Sequence, residues 1–147
     1  LILLNNSTLK AKHINVELIC SEIIETSLIV ESLDMILINL ISNATDAMET
    51  NGKLTIEINK LQNSFEVKVA DTGTGIREDE LEEIFNPFFT TKGDCGGTGL
   101  GLYIVYNEIS KMNGTIEVKS KVGEGTEFGI TLPMKGKNEV EKENYNG

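Results

Sequence analysis

The stretch GDCGGTGLGLYIVYNEISK, from Gly93 to Lys111, crowds Gly96, Gly97, Gly99 and Gly101 ahead of an amphipathic run. Glycine is costly to order, so this much bare backbone needs a use. A glycine-rich turn that opens a helix leaves N–H groups uncovered at the positive end of the helix dipole, where phosphate oxygens approach without meeting a Cβ. The two commonest nucleotide loops are excluded: GGTGLGL is not G-x-x-x-x-G-K-[ST], and Leu102 stands where the last glycine of G-x-G-x-x-G would be. A flexible loop ahead of a helix is the other reading of these residues. Earlier in the chain, Asn39, Asn43 and Asp46 recur at i, i+4 and i+7, a polar stripe on a helix otherwise apolar nearly all round. An amide oxygen is a neutral hard ligand, suited to a Mg²⁺ whose charge is compensated by phosphates; helix caps or hydrogen-bonded core polar groups are the alternative. The third candidate is ADTGTGI, where Asp71 ends a strand and Gly73 and Gly75 open the backbone beyond it. A carboxylate so placed either accepts a hydrogen bond from the exocyclic amine of a base or closes an ordinary Asx turn.

Periodicity gives the elements that must position these residues. INVELIC, residues 14–20, places Ile14, Val16, Leu18 and Cys20 on one face at period two, as a half-buried strand does, and residues 28–30 read as a second short strand. Ser32 reads as the N-cap of a long helix running to about Met48, with Leu33, Ile36, Leu37, Leu40, Ile41 and Ala44 at helical spacing and Asn51-Gly52 as its stop. KLTIEI and FEVKVAD alternate on either side of a polar hairpin loop. A short acidic helix near 78–84 precedes FNPFFTTKGDCGG, a second long helix runs from Leu100 to about Met112, and TIEVKS and TEFGITL form strands joined by KVGEG. This order predicts an α+β fold, a mixed sheet with helices layered on one face, in one domain over 1–134 with a polar, aperiodic tail over 135–147.

Composition narrows the partners. Lys+Arg 13 against Asp+Glu 23 gives a formal charge of -10, the wrong sign for a generic nucleic-acid binder or for direct contact with an anionic membrane. With a single His and with Cys20 and Cys95 far outside any C-x-x-C spacing, a His- or Cys-rich metal site is excluded, and free thiols fit a reducing, cytoplasmic setting. An opening on Leu1 and the lack of a membrane-length apolar run predict a piece of a longer polypeptide, whose anchor, if it has one, lies elsewhere.

In sequence and in order, NLISNATDAM, DTGTGI, IFNPFFTTK, GTGLGL and GEGTEF resemble the N, G1, F and G2 boxes and the terminal glycine-threonine turn of the histidine-kinase catalytic domain. That family belongs to the gyrase, chaperone, histidine-kinase and mismatch-repair ATPase superfamily, and the resemblance covers residues 10–134. It implies a Bergerat α/β sandwich that binds ATP and Mg²⁺. Carried over by position, it implies that Asn43 ligates Mg²⁺ with Asn39 as its phosphate-side companion, and that Asp71 reads adenine, with Gly75 admitting the base and Thr126 supporting it. Gly97, Gly99, Leu100 and Gly101 would offer N–H groups to the phosphates, and Lys92 would reach the β or γ phosphate. Residues 77–96 would form an ATP lid whose base Phe85, Phe88 and Phe89 pack. Asp46, Gly73, Ile76, Thr91, Thr98 and Leu102 complete the residues expected around the nucleotide, and Asn39, Asn43 and Lys92 are those expected to serve transfer.

Within the superfamily, hydrolases carry a water-activating glutamate where Asn39 stands, and an amide cannot act as that base. The resemblance therefore implies a kinase that hands the γ-phosphoryl group to a histidine on a dimerisation helix hairpin of its parent protein and, through it, to a response regulator. His13 is not that histidine, because KHINVE opens a strand. Asp46 replaces a commoner lysine, which resembles the nitrogen-regulation type of sensor kinase, and Met35 a commoner glutamine. A stand-alone serine kinase of the anti-sigma type and a catalytically idle nucleotide-sensing module are the alternatives.

Overall fold

The computed structural model describes residues 6–20, 30–89 and 101–134. The chain begins with a short helix, α1 (Asn6–Ala11), which the sequence reading did not expect. His13, at φ 53, turns the chain out of it, with the His13 N–H donating to Lys10 O and the Ile14 N–H to Leu9 O. The one histidine thus lies in a turn and not on a helix. Strand β1 (Asn15–Cys20) follows, then helix α2 (Val30–Ala47), the hairpin β2 (Lys53–Lys60) and β3 (Ser64–Asp71), helix α3 (Gly101–Lys111), and the hairpin β4 (Thr115–Lys121) and β5 (Gly125–Pro133).

The strands form one five-stranded sheet in the order β1-β2-β3-β5-β4, parallel between β1 and β2 and antiparallel elsewhere. Alternation sets its faces: Leu54 and Ile56, then Phe65, Val67 and Val69, then Phe128, Ile130 and Leu132 all point inward and are buried. Against them α2 lays Ile36, Leu40, Ile41 and Ala44, with Met48 just past its end, and α3 lays Val105 and Ile109, a 3.6-residue stripe in each case. The α+β expectation and the layering of helices on one face both hold.

Three local readings are corrected. Val30 is already helical, so it does not close a short strand, and the rest of that expected strand, residues 28 and 29, lies outside the described residues. Ser32 is therefore inside α2 and is not its N-cap; its hydroxyl donates to Glu108 Oε2 on α3 at 3.1 Å. The outer half of β1, the edge strand of the sheet, is not half-buried: Leu18 is 59% exposed and Cys20 is exposed.

Candidate functional site

The inward face of the sheet changes from apolar to polar in a single row. Leu54 pairs with Asp71, Asp71 with Thr126, and Thr126 with Ser120, so a row that begins on β2 as a core leucine ends in a carboxylate and two hydroxyls. Asp71 Oδ1 accepts the Gly73 N–H at 2.8 Å, which is the Asx turn, and the Thr126 N–H also bonds to the carboxylate. Burial raises the carboxyl above the ordinary aspartate value and is only partly opposed by these two N–H groups. The turn and the carboxylate's availability are thus compatible: backbone donors hold the group in place, but it remains short of the solvation it would have in water.

Two loops frame the row. After β3, the Thr74 N–H donates to Ala47 O at the end of α2, and a Cβ on Gly73 would lie 2.5 Å from that same carbonyl oxygen. Gly75, at φ +77, packs its backbone against Lys121 O. This contact requires glycine at 75 on its own, so the expected role of admitting a base is not needed to explain the residue. Gly125, at φ +128, lies against Asp71 O in the same way, and the Gly123 N–H donates to Thr74 O at 2.9 Å. Ser120 Oγ accepts the Ile76 N–H at 2.7 Å, donates to Gly125 O at 3.0 Å and lies 2.7 Å from Thr126 Oγ1. Gly125 was legible only as part of the GEGTEF turn, and Ser120 does not stand out in the sequence. The alternation of TIEVKS, which sends Ser120 to the same face as Ile116 and Val118, is the signal that could have found the serine.

Helix α2 runs from these loops towards the start of α3. Asn39 Nδ2 donates to Met35 O at 2.7 Å, which leaves Oδ1 facing Gly101, where a Cβ would come within 3.2 Å of it. The first residue of α3 thus sits close beside the Asn39 amide, and a side chain there would press on it. Between Asn39 and the Gly73 contact at Ala47, α2 rises about 12 Å, and Asn43 stands midway along that interval, half-buried. Asp46 is on the same helix and exposed. Among the described residues no cluster of three His, Cys, Asp or Glu could hold a metal by itself. That donor set suits a hard cation that takes most of its ligands from phosphates and water, with an amide such as Asn43 supplying one oxygen.

Of the expected lid, residues 77–89 are described. A turn of 3-10 helix (Glu78–Glu80) leads to Ile84, which is buried, and to Phe85, whose ring lies 5.6 Å from that of Tyr106 and 6.4 Å from that of Phe128. Of the three phenylalanines expected to pack the base of a lid, Phe85 and Phe89 lie against the core, whereas Phe88, at φ 66, is 74% exposed and does not join them. Thr91, Lys92, Cys95, Gly97, Thr98, Gly99 and Leu100 lie outside the described residues. The structure therefore brings Asp71, Thr126, Gly73, Gly75 and Ile76 together at the C-terminal end of α2, and Asn39, Gly101 and the following Leu102 near the middle of that helix.

Known proteins match this arrangement. The family model described as histidine kinase-, DNA gyrase B-, and HSP90-like ATPase matches residues 29–136. The sensor histidine kinase ZraS of Salmonella typhi is 44% identical over 105 residues, 71% of this chain and 22% of that protein. The catalytic domain of histidine kinase ThkA superposes with a TM-score of 0.81 at 30% identity, covering 90% of this chain and 88% of that one. Full-length ShkA in complex with AMPPNP gives a TM-score of 0.75 at 27% identity, over 91% of this chain and 28% of that one. The chain spans under a quarter of the length of the ZraS relative.

Proposed function

From the premise that the chain belongs to the histidine kinase-, DNA gyrase B- and HSP90-like ATPases, we propose that it holds Mg-ATP for transfer of the γ-phosphoryl group to a histidine on a helix hairpin of its parent kinase. The observation that carries the reading is the Asp71 carboxylate, half-buried at the polar end of the sheet's inner face and held by backbone N–H groups. Only a ligand that donates hydrogen bonds restores what burial took from it, and the adenine amine does so. The Asn43 amide oxygen is the protein's ligand to Mg²⁺. When bound, the metal supplies charge neutralisation at the phosphate oxygens. Asn39 lies at the phosphate end, beside the backbone of Gly101. Its amide orients and does not deprotonate, so water is not activated and the phosphoryl group is kept for an external acceptor. We assign Lys92 and the N–H groups of Gly97, Gly99, Leu100 and Gly101 to the phosphates, with Thr91, Thr98 and Leu102 around them, Asp46 at the end of α2 near the Asp71 row, and Phe88 on the lid. The downstream recipient is a response regulator. No described helix is long and apolar enough to cross a membrane; we place the domain in the cytoplasm.

The test is transfer in trans. Incubated with labelled ATP, the chain alone should hydrolyse slowly and acquire no acid-labile label. With the parent's helix hairpin added as a separate polypeptide, label should appear on the hairpin histidine, since positioning supplies most of what this chemistry needs. Brisk hydrolysis by the chain alone, or an unlabelled hairpin despite saturating ATP binding, contradicts the proposal.

A further inference from the structure

Ser120 Oγ has three partners and one proton. The Ile76 N–H donates to it at 2.7 Å, it donates to Gly125 O at 3.0 Å, and Thr126 Oγ1 lies 2.7 Å away. A hydroxyl carries a single donor hydrogen and two lone pairs. With the hydrogen on the Gly125 carbonyl and one lone pair on Ile76, all three bonds form together only when Thr126 is the donor to Ser120. The Thr126 oxygen then has lone pairs and no proton for anything that meets the row beside Asp71, its register partner on β3. Resting on the nucleotide-site reading above, we propose that Ser120 is a specificity-determining positioning residue, which makes the row acceptor-only by taking up the Thr126 proton. Such a row favours a base edge that bears an amine and rejects one that bears a carbonyl, because an acceptor placed there would face the Asp71 carboxylate and the Thr126 oxygen with no hydrogen between them. Removing the Ser120 hydroxyl frees the Thr126 proton to rotate and donate, so the rejection weakens. It also deprives Ile76 and Gly125 of a partner, so a purely structural loss has to be told apart from a change in selectivity.

Titration of the 147-residue chain with ATP and with GTP separates the two. Ser120→Ala should narrow the ratio of ATP to GTP affinity by roughly tenfold, the worth of one hydrogen bond. Ser120→Thr, which keeps the hydroxyl, should retain the wild-type ratio. On a Thr126→Val background, Ser120→Ala should no longer change the ratio, since no proton is left to release. Should Ser120→Ala fail to fold, Ser120→Cys fills the same space with a weak donor and acceptor and should narrow the ratio in the same direction. Equal weakening of both nucleotides, an unchanged ratio, or an effect that persists without the Thr126 hydroxyl overturns the inference. Binding of neither nucleotide by the wild-type chain contradicts instead the site reading on which it rests.

Discussion

Gly123, Gly125 and Gly129 follow one another closely along β5 and its turn, and the structure asks something different of each. Gly129 has open space where a Cβ would stand and an ordinary backbone; Gly123 has open space at φ +83; Gly125 combines φ +128 with a backbone approach to Asp71 O. Gly129→Ala should therefore stabilise the fold by about 0.5 kcal/mol through lost unfolded-state entropy. Gly123→Ala should cost about 1 kcal/mol for the left-handed conformation alone, and Gly125→Ala on the order of 3 kcal/mol or more. Thermal melting gives the order directly, and a Gly125→Ala protein that melts with Gly123→Ala would remove the Asp71 contact from the account. Asp71 itself makes a prediction with a definite sign. Burial raises its folded-state pKa, so its contribution to stability is fully present below the unfolded carboxyl value and is lost as pH rises through the folded one. Measured against Asp71→Asn, which does not titrate, the wild-type melting temperature should fall as pH climbs through that window. A difference that stays flat or rises with pH would contradict it. The carboxylate was legible in the sequence, because a charged residue ends a strand ahead of two glycines. Of its two backbone donors, Gly73 was legible as an Asx turn, whereas Thr126 was not, because it reaches the carboxylate only through the β3–β5 register.

At the scale of elements, α2 is the ruler of the site, and its C-terminal end is held from outside. Lys12 Nζ donates to Thr45 O at 2.9 Å and to Met48 O at 3.1 Å, which places a positive charge at the carbonyl end of the helix, where Thr45 O also accepts the Met48 N–H at 3.2 Å. The adjoining Ala47 carbonyl accepts the Thr74 N–H, so the fixed helix end in turn fixes the loop carrying Gly73 and Gly75. Lys12→Met should cost about 1–2 kcal/mol in stability and weaken ATP binding, whereas Lys12→Arg should keep most of both. Unchanged melting and affinity in Lys12→Met would show the helix end to be held without it. The body of α2 was readable from its apolar spacing, but its beginning was not. Ser32 looks like a cap in one dimension; in three it bonds Glu108, and no local pattern announces a partner on another helix. Helix α1 went unread for a related reason. Six residues are too few to establish a period, and this helix is ended by a left-handed His13 where a glycine or proline would have been noticed.

At the scale of the whole molecule, the order of elements was legible because almost every one alternates or repeats cleanly. The site was legible as a set of motifs but not as an arrangement. That Gly73 touches Ala47, that Gly101 faces Asn39 and that Ser120 joins Thr126 to Ile76 follow only once the sheet register and the helix layer are fixed. The arrangement puts the row around Asp71, proposed to read the base, and Asn39 with Gly101, proposed to face the phosphates, about two turns of α2 apart, a separation that suits one nucleotide laid along the helix. The central claim, that Asp71 is the anchor of an ATP site, is tested most directly by calorimetric titration of Mg-ATP into the wild-type chain and Asp71→Asn at neutral pH. The account predicts one saturable site in the wild type, and an affinity lower by at least about tenfold in the variant for loss of a charge-assisted hydrogen bond. Equal affinity in the two proteins, or no binding in the wild type, would contradict it.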